Sequence, residues 1–599
     1  MNNPFNKLTS LRTFLKSNDI DVYIIPSTDP HLGEYIPDYW RIIAWLTGFT
    51  GSFATVVVTD TFAGLWTDSR YFIQAENQLH DSGFVLINIL FPHLKDFTDW
   101  LHENVKPESK IGFDGRTLSI SLLRKIEKVL KEKNVSFDIE CDLISAVWND
   151  RPLMPLSIAF DHPLEFSGKE RKEKITEVCE LMKKQNADYH LLTALDDIMW
   201  LLNIRGKDFK FSPLLTCFAL VGQEQILLFV DERQIPQRLA MEFDKLNIVM
   251  LPYEEIGGML SALSYRSSIL LSPATTSAFL YNSIRKRTKI IEDISIPTRL
   301  KAIKNIVEIG NIGKVMVKDG AALTKFFYWL EQCVGSMTIS ELTISEKLSQ
   351  LREEQENFLG PSFSTIAAWN EHGAQPHYCA TNASYSIIGA KGILLVDSGG
   401  QYLDGTTDIT RTIAIGQPTE QQKKDFTHVL KGTINLALAK FPYGTKGYQL
   451  DILARKSLWA QGLNYGHGTG HGVGFCLNVH EGPQNIGPGS GAGSNAVIEA
   501  GMLISDEPAV YRVGKYGIRI ENLILCVEDE ETEFGKYLKF NTLTLCYIDK
   551  SLIDISLLDK HEIDWLYTYH NLVFEKLSPC LTKDEQRWLK IKTSTLSFT

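Results

Sequence analysis

Two segments of the chain share one pattern, in which an apolar strand, a turn and a returning strand carry a carboxylate on each arm. In GILLVDSGGQYLDGTTDITRTIAIG, an apolar run ends at Asp397 and an alternating strand follows Asp408. In GMLISDEPAVYRVGKYGIRIENLIL, Glu507 and Glu521 lie at equal distances from Gly514. Both segments predict antiparallel β-hairpins that bring acidic side chains together in pairs.

The first hairpin is predicted to place like charges across from one another. Asp397 and Asp408 are symmetric about the midpoint between Tyr402 and Leu403, so a simple register makes them directly opposite. Cross-strand neighbours have Cβ atoms about 5 Å apart, and like charges in that position are destabilising. A cation between the two carboxylates would remove this cost. Asp404, which a glycine follows, is interpreted as an ordinary turn residue.

A glycine-rich segment between the hairpins, YGHGTGHGVG, adds the imidazoles of His467 and His471. Their spacing would suit a zinc-binding helix, but the alternating glycines make a helix improbable. His471 is therefore predicted to bind metal, and the alternative is an ordinary hydrogen-bonded loop histidine. His467 is predicted to contact the ligand residues without binding the metal itself. Four carboxylates with one or two imidazoles suit paired Mn²⁺, Co²⁺, Fe²⁺ or Zn²⁺ better than a structural zinc. These residues predict a dinuclear hydrolase.

The chain order of Asp397, Asp408, His471, Glu507 and Glu521 resembles that of the five metal ligands of the pita-bread metallopeptidases. Within that group, DSGGQYLDGTTDITRT, GHGTGHGVG, LNVHEGP and GIRIEN together resemble the three-domain cytosolic Xaa-Pro aminopeptidases, also called aminopeptidase P. The segments GEYI, GFTGS and LWTDSRYFIQA extend the resemblance over nearly the whole chain.

The resemblance implies an α/β (α+β) fold, with two related creatinase-like α/β domains followed by a pita-bread catalytic domain. It also implies two divalent metal ions, with Mn²⁺ expected and Co²⁺, Fe²⁺ or Zn²⁺ as alternatives. Asp408 and Glu521 would bridge the ions, Asp397 would complete one site, and His471 and Glu507 would complete the other. Two such ions activate a shared water as hydroxide, which would attack the N-terminal Xaa-Pro peptide bond.

Further side chains are predicted to act on the substrate or on the ligands. By resemblance, His377 and His480 contact the substrate and stabilise the developing oxyanion, and Glu507 passes a proton. Arg519 lies on the same strand face as Glu521, where a bidentate contact would orient a carboxylate; a surface arginine is the alternative. The segment EPAVY replaces the EPGYY that is common among relatives, which keeps Glu507 but changes the wall beside it. The candidate catalytic residues are therefore His377, His467, His480, Glu507 and Arg519.

Length and charge limit the other functions that such a chain can have. Its 599 residues predict about three or four domains. A net charge of −11 without a long basic run argues against nucleic acid or an anionic membrane as the main partner. No apolar stretch reaches the roughly 20 residues of a membrane helix, and the N-terminus is too polar for a signal peptide. Nine cysteines without CxxC spacing are interpreted as reduced thiols of a cytoplasmic protein.

A weak internal sequence repeat divides the part of the chain before the hairpins into two halves. The segments 21–24, 45–48 and 66–70 resemble, in the same order, the segments 188–191, 200–203 and 229–233. This pattern predicts two copies of one α/β unit, because a solenoid would repeat with a much shorter period. We therefore predict domains at residues 1–152, 153–301 and 302–599.

Three other functions remain open at this point. An Xaa-Pro dipeptidase would carry the same five ligands, although two N-terminal units instead of one favour the aminopeptidase. A methionine aminopeptidase usually lacks both N-terminal units. A metal-free pita-bread protein that acts as a binding module is disfavoured because all five ligand types are present. The expected partners are peptides with proline in the second position and a second copy of the chain, since relatives suggest a homodimer formed largely through the catalytic domains.

Overall fold

The computed structural model describes residues 3–90, 95–489 and 493–595. The chain forms two compact units, the first comprising Met1–His162 with Lys169–Pro297 and the second comprising Pro163–Gly168 with Thr298–Thr599. Among the helices of the described residues, none is long and apolar enough to cross a membrane.

The first unit is built from alternating helices and strands in two successive sets. The first set contains α1 Pro4–Ser17, β1 Val22–Pro26, α2 Ile42–Thr47, β2 Thr55–Thr59, β3 Ala63–Asp68, α3 Phe72–Gln78, β4 Val85–Ile89, α4 Phe97–Asn104, β5 Lys110–Gly112, α5 Ile120–Leu130, β6 Ser136–Asp138 and α6 Ile144–Val147. The second set contains β7 Phe160–Asp161, α7 Leu164–Ser167, α8 Arg171–Lys184, β8 Tyr189–Leu192, α9 Leu195–Leu202, β9 Ile204–Arg205, β10 Phe218–Gly222, β11 Ile226–Phe229, α10 Gln237–Lys245, β12 Ile248–Leu251, α11 Ile256–Ala262, β13 Ser268–Leu271, α12 Ala278–Ser283 and β14 Lys289–Glu292. Of these elements, α7 belongs to the second unit.

Each set forms a six-stranded sheet, and the two sheets have the same topology. Their strand orders are β4-β3-β2-β1-β5-β6 and β12-β11-β10-β8-β13-β14. In both sheets, three central strands pair antiparallel and the outer strands continue in parallel. The repeated segments 21–24 and 188–191 coincide with strands β1 and β8, which occupy the same position in the two sheets. The two predicted copies of one α/β unit are therefore confirmed, whereas the boundary at residues 152 and 153 stays a prediction.

The second unit combines long helices with antiparallel sheets. Its elements are α13 Ile296–Ala302, α14 Ile306–Cys333, α15 Glu341–Glu353, β15 Phe358–Pro361, β16 Ile366–Trp369, β17 Gly392–Ser398, β18 Gly400–Tyr402, β19 Gly405–Thr406, β20 Ile409–Ile415, α16 Glu420–Ala437, β21 Lys440–Pro442, α17 Gly447–Trp459, β22 Gly470–Gly472, β23 Glu481–Ile486, β24 Leu503–Asp506, β25 Ala509–Arg512, β26 Tyr516–Arg519, β27 Asn522–Thr532, β28 Gly535–Thr542, α18 Lys560–Leu577 and α19 Lys583–Thr593. One apolar core joins α14, α16 and α18 to strands β17 and β27 through residues such as Phe326, Leu430, Val573, Leu394 and Leu523.

Helix α14 begins with a capping box formed by Asn305 and Glu308. The Asn305 side chain accepts from the backbone N–H of Val307 and Glu308, and the Glu308 side chain accepts from the backbone N–H of Asn305. This capping box satisfies donors that the first helical turn leaves free. The helix buries Val315 and Phe326 on its apolar face.

The turn of the first carboxylate hairpin lies one residue later than predicted, which shifts the pairing of its strands by two residues. Asp397 lies opposite Thr410, and the turn falls at Leu403 and Asp404 because Tyr402 pairs with Gly405. Asp397 and Asp408 are therefore not directly opposite, which corrects the expected like-charge pair. The physical reason lies at the turn, where Asp404 is buried and its carboxylate binds Lys318 Nζ at 2.7 Å.

The second carboxylate hairpin has the predicted register. The Asp506–Asn522 pair of strands β24 and β27 is followed by the Ala509–Arg519 pair of β25 and β26. A continuous register between these pairs sets Glu507 opposite Glu521. Gly514 turns the chain with a φ of +70°, a conformation that favours glycine.

Gly399 allows the first hairpin to close beside Asp408. A Cβ at this position would lie 2.0 Å from the Thr407 carbonyl oxygen and 2.1 Å from Ser362 Oγ. We predict that Gly399→Ala lowers stability by about 3 kcal/mol, because the strands must move apart to admit the methyl group.

The control is Gly313→Ala on the exposed side of α14, where the added Cβ meets open space. Alanine favours a helix over glycine by up to about 1 kcal/mol, so this variant should melt at or above the wild-type temperature. Thermal unfolding followed by circular dichroism measures both changes. Equal melting temperatures for the two variants would contradict the packing at Gly399.

Candidate metal centre

The two hairpins and the strand β22 converge at one cluster of acidic and imidazole side chains. Asp408 precedes β20, His471 lies within β22, and Glu521 lies between β26 and β27. Their ligand atoms all lie within 4.8 Å of one another. Glycine makes this convergence possible at β22, since a Cβ on Gly470 would lie 1.8 Å from the Ser505 carbonyl oxygen. Gly470 therefore allows strand β22 to lie close to strand β24.

The tautomer of His471 follows from its hydrogen bond. Nδ1 lies 3.0 Å from the Gly472 carbonyl oxygen, to which it donates. The other ring nitrogen, Nε2, lies 3.4 Å from Asp408 Oδ2 and 3.6 Å from Glu507 Oε1. With Nδ1 protonated, the lone pair of Nε2 faces two carboxylate oxygens, so either a proton or a metal ion must lie between them.

Asp397 lies at the edge of this cluster and binds Arg519. Arg519 Nη2 lies 2.5 Å from Asp397 Oδ2, and both side chains are buried. Asp397 Oδ1 is buried and has no hydrogen-bond partner among the described residues. Arg519 therefore does bind a carboxylate, as predicted, but the carboxylate is that of Asp397 and the contact uses one oxygen. The predicted bidentate contact is wrong because Arg519 Nε is directed to Thr410 Oγ1 at 3.0 Å.

Arg519 also links two other site residues through shared hydroxyl groups. Thr410 Oγ1 donates to Glu521 Oε2 at 2.7 Å, so the Arg519–Thr410 contact orients that glutamate. Arg519 Nη1 donates to Tyr511 Oη at 2.6 Å, and Tyr511 Oη lies 2.8 Å from His467 Nε2. Since His467 Nδ1 donates to the Gly468 carbonyl, Nε2 accepts the tyrosine proton.

His467 lies in an irregular loop rather than a helix, as predicted, and a buried arginine supports this loop. Arg455 of α17 donates to the carbonyl oxygens of Tyr465 at 2.8 Å and His467 at 2.7 Å. Asp451, one turn earlier, accepts from Arg455 Nε at 2.7 Å and from Thr469 Oγ1 at 2.5 Å. These contacts hold a segment that its glycines would otherwise leave flexible.

Of the two remaining predicted histidines, His480 lies beside the cluster, and the segment that carries His377 contacts Arg519. The His480 ring meets the His471 ring edge to face, with centroids 4.3 Å apart. Pro376, which precedes His377, accepts from Arg519 Nη2 at 3.4 Å. The cluster thus has imidazole on one side and the segment that carries His377 on another.

Burial raises the pKa of several carboxyl groups in the cluster. It raises the pKa of Asp397 to about 7, a change that Arg519 opposes and the charge of Asp408 adds to. Burial also raises the pKa of Glu507, and it raises the pKa of Glu521 well above its ordinary value, with Asp408 and Glu507 adding to the effect. The charged forms of these groups are therefore costly without a cation.

The donor set fits two divalent metal ions. It offers hard carboxylate oxygens, one neutral imidazole nitrogen and a buried carboxylate oxygen, Asp397 Oδ1, that no described group satisfies. Such a set is typical of Mn²⁺, Fe²⁺, Co²⁺ or Zn²⁺ sites without thiolate ligands. A divalent ion would also offset the charge repulsion that raises the carboxyl pKa values.

Several supporting residues were missed by the sequence analysis. Asp451 and Arg455 have the i, i+4 spacing of a helical ion pair, but such pairs usually lie on the solvent face, and this one is buried. Glu341 begins α15 and accepts from Tyr378 Oη at 2.8 Å and from the Ser386 N–H at 2.7 Å, which orders the segment around His377. The position of Glu341 at the start of a helix does not indicate that it orders the segment around His377.

Comparison with known families divides the chain in the predicted order. The model described as creatinase/prolidase N-terminal domain matches residues 7–143, and a second model with that description matches residues 150–308. The metallopeptidase family M24 model matches residues 310–528, and a model of the C-terminal region of peptidase M24 matches residues 536–596. The predicted fold class, two creatinase-like domains and a catalytic domain, is confirmed.

Individual relatives match over almost their whole length. A probable Xaa-Pro aminopeptidase P of Laccaria bicolor is 38% identical over 99% of this chain and 94% of its own. Xaa-Pro aminopeptidase 1 of Dictyostelium discoideum is 37% identical over 98% of this chain and 95% of its own. A crystal structure of X-prolyl aminopeptidase from Caenorhabditis elegans, described as a cytosolic enzyme with a di-nuclear active site, is 36% identical with a TM-score of 0.95, covering 99% of this chain and 100% of that chain.

We predict that protonation of His471 stabilises the metal-free protein. Burial lowers the pKa of His471, but the hydrogen bond to Asp408 and the charges of Glu507 and Asp408 outweigh it and raise the pKa from 6.5 to about 9. A raised folded-state pKa contributes stability that is complete below pH 6.5 and is lost as the pH rises through 9. The melting temperatures of metal-free wild type and His471→Gln should therefore converge across this interval.

The control is His428→Gln. His428 is a half-buried histidine of the same unit that binds Ser457 Oγ, and its pKa is lowered, chiefly by burial. Because it titrates at lower pH, its difference from wild type should stay constant over the same interval. A constant difference for His471→Gln as well would contradict the pairing of His471 with Asp408.

Proposed function

This chain belongs to the Xaa-Pro aminopeptidase P group of metallopeptidase family M24, and we propose that it hydrolyses the peptide bond between the first residue of a peptide and a proline in the second position. One observation carries the proposal: the ligand atoms of Asp408, His471 and Glu521 converge within 4.8 Å in a chain that matches these aminopeptidases from end to end. The same similarity favours the aminopeptidase over the dipeptidase and over a metal-free binding module.

We assign two divalent metal ions to the five predicted ligands. Asp408 and Glu521 would lie between the ions, Asp397 would complete one site, and His471 and Glu507 would complete the other. When bound, two such ions lower the pKa of a shared water and polarise a carbonyl group. Mn²⁺ is the ion that we propose, because the ligands are mostly carboxylate oxygens.

Glu507 is the carboxylate that we propose as the proton carrier. Its side chain is 18% exposed, compared with 5% for Asp408 and 11% for Asp397, so it exchanges protons with solvent most readily of the three. Ser505 Oγ donates to Glu507 Oε1 at 3.2 Å and fixes the carboxylate. In this role Glu507 accepts the proton of the attacking water and returns it to the proline nitrogen as the peptide bond breaks.

His377 and His480 are proposed to donate hydrogen bonds to the oxyanion that forms at the scissile carbonyl. The contact of His480 with the His471 ring and the contact of Pro376 with Arg519 support this position for both. His467 and Arg519 would act on the ligands instead. Their chain of contacts through Tyr511 keeps Arg519 on Asp397 and the His467 ring fixed.

A proline in the second position places its own demand on such a site. The bond that is cut has no N–H on its nitrogen, so an enzyme that holds its substrate as a β-strand loses a hydrogen bond there. A site that packs the pyrrolidine ring and uses no donor at that nitrogen accepts it. This preference comes to the chain through its family.

The substrate test compares an Xaa-Pro dipeptide with longer peptides that begin Xaa-Pro, each with added Mn²⁺. The aminopeptidase proposal predicts release of the first residue from the longer peptides. Cleavage of the dipeptide alone would identify a dipeptidase, and the absence of both bound metal and hydrolysis would identify a binding module. A longer peptide with alanine in the second position controls for proline preference.

We predict that Asp408→Asn lowers turnover by more than about 100-fold. Mutating a residue that only hydrogen-bonds to a metal ligand already lowers activity or metal affinity by about 10- to 100-fold, and Asp408 is itself a proposed ligand. Added Mn²⁺ should also raise the melting temperature of this variant less than that of wild type, because selective binding to the native state is what stabilises it. The matched control is Asp404→Asn on the same hairpin, whose carboxylate binds Lys318. Asp408 is not a ligand if both variants respond to Mn²⁺ as wild type does.

We also propose a cytoplasmic location and a homodimer formed through the catalytic domain. Helix α17 exposes Tyr448, Ile452 and Trp459, with exposed fractions of 38%, 41% and 50%. Their spacing puts these apolar side chains on one side of the helix, and Tyr443, in the segment before the helix, is 59% exposed. An apolar patch of this kind favours burial against a second copy.

Trp459→Glu should therefore convert a dimer into a monomer of 67.7 kDa. Light scattering after size exclusion measures the mass. The control is Ile591→Glu, which adds the same charge at a 67% exposed apolar position on α19. A wild-type mass of one chain would overturn the homodimer, and a dimeric Trp459→Glu would exclude this patch as its interface.

A further inference from the structure

Arg411 is a buried arginine at the centre of the catalytic unit that the proposed mechanism does not use. It follows Thr410 on β20 and points to the side of the strand away from Asp397 and the metal ligands. Its Nη1 donates to the carbonyl oxygen of Glu521 at 2.7 Å and to that of Thr410 at 3.0 Å. Arg411 therefore holds the main chain at the residue proposed to bridge the two ions.

Thr410 forms two further hydrogen bonds with Glu521. The Glu521 N–H donates to the Thr410 carbonyl oxygen at 3.0 Å, and Thr410 Oγ1 donates to the Glu521 carboxylate at 2.7 Å. With Arg411 on the carbonyl, the N–H, carbonyl and carboxylate of Glu521 are all fixed by two consecutive residues. The position of the carboxylate then depends on where the Arg411 guanidinium lies.

The guanidinium is in turn held by the C-terminal part of the chain. Arg411 Nη2 donates to Tyr569 Oη at 2.7 Å and to the Cys546 carbonyl at 3.0 Å, while Nε donates to the Tyr547 carbonyl at 3.0 Å. Tyr569, Cys546 and Tyr547 lie within residues 536–596, beyond the part matched by the M24 catalytic model, whereas one further acceptor of Nη2, Asn522 Oδ1 at 2.8 Å, lies within that part. A buried guanidinium requires such acceptors, because an unsatisfied buried charge is very costly.

Tyr569 is suited to this task by its own surroundings. It lies on α18 and is 4% exposed, and its ring stacks on Trp565 with centroids 5.1 Å apart. Its hydroxyl accepts from Arg411 and from the Cys546 N–H at 3.3 Å, and it donates to the Thr544 or Cys546 carbonyl. A hydroxyl bonded on all sides has one preferred place, so it gives Arg411 a rigid acceptor.

We propose that the C-terminal region is a positioning element of the metal centre, acting through Tyr569 and Arg411 on Glu521. The packing of α18 in the core would by itself only stabilise the fold. The hydrogen-bonded chain from Tyr569 to Glu521 adds a separate effect, which is the affinity of the site for metal. The inference rests on the proposed role of Glu521 as a ligand.

The test is a titration of metal-free, full-length protein with Mn²⁺, in which electron paramagnetic resonance measures free Mn²⁺. Tyr569→Phe removes the hydroxyl and keeps the ring. Residues that orient ligands typically change metal affinity by 10- to 100-fold, and we expect about a tenfold loss for this variant. Arg411→Lys keeps the charge but loses the planar fork, and it should lose at least as much. It also serves as the second variant if Tyr569→Phe does not fold.

The control is Val573→Ala, which removes packing from the same helix at a fully buried position without a hydrogen-bonding group. It should lower the melting temperature and leave the Mn²⁺ affinity within about twofold of wild type. The proposal is overturned if Tyr569→Phe binds Mn²⁺ as tightly as wild type, or if Val573→Ala loses as much affinity. A wild-type protein that binds no Mn²⁺ and hydrolyses no Xaa-Pro peptide would instead refute the proposed function.

Discussion

The crowding of carboxylates around one imidazole is the constraint on which the catalytic unit depends. Asp408, Glu521 and His471 present ligand atoms within 4.8 Å of one another, in surroundings that make negative charge costly. A chain gains nothing in stability from such an arrangement unless a cation shares it. The two hairpins, the strand β22 and the glycines that let them approach are best understood as the framework that keeps these side chains together in advance of metal.

Buried arginines supply the second layer of this framework, each with a different task. Arg519 binds Asp397 directly and reaches Glu521 through Thr410. Arg455 fixes the loop of His467 by its backbone carbonyls, and Arg411 fixes the backbone at Glu521. The planar guanidinium suits these tasks because it can bind several acceptors in fixed directions. The metal centre is thus held by main-chain contacts as much as by side-chain contacts.

Much of this architecture could be predicted from the sequence, because it follows from local patterns. The capping residues of α14, the glycine turn at Gly514 and the duplicated α/β unit all have short-range signatures. The register of the first hairpin could not, since the burial of Asp404 against Lys318 in α14 moves the turn by one residue. The partner of Arg519 was not specified for a similar reason: Arg519 and Asp397 lie on strands of two different sheets, and the sequence does not show how those sheets pack together.

The central claim is that the five ligand residues hold two metal ions, and anomalous X-ray diffraction tests it most directly. Crystals of the full chain grown with Mn²⁺ should show two anomalous peaks at the manganese absorption edge, both bounded by the side chains of Asp397, Asp408, His471, Glu507 and Glu521. A single peak in this cluster would contradict the dinuclear centre. The absence of any peak there, with Mn²⁺ bound elsewhere, would contradict the site itself.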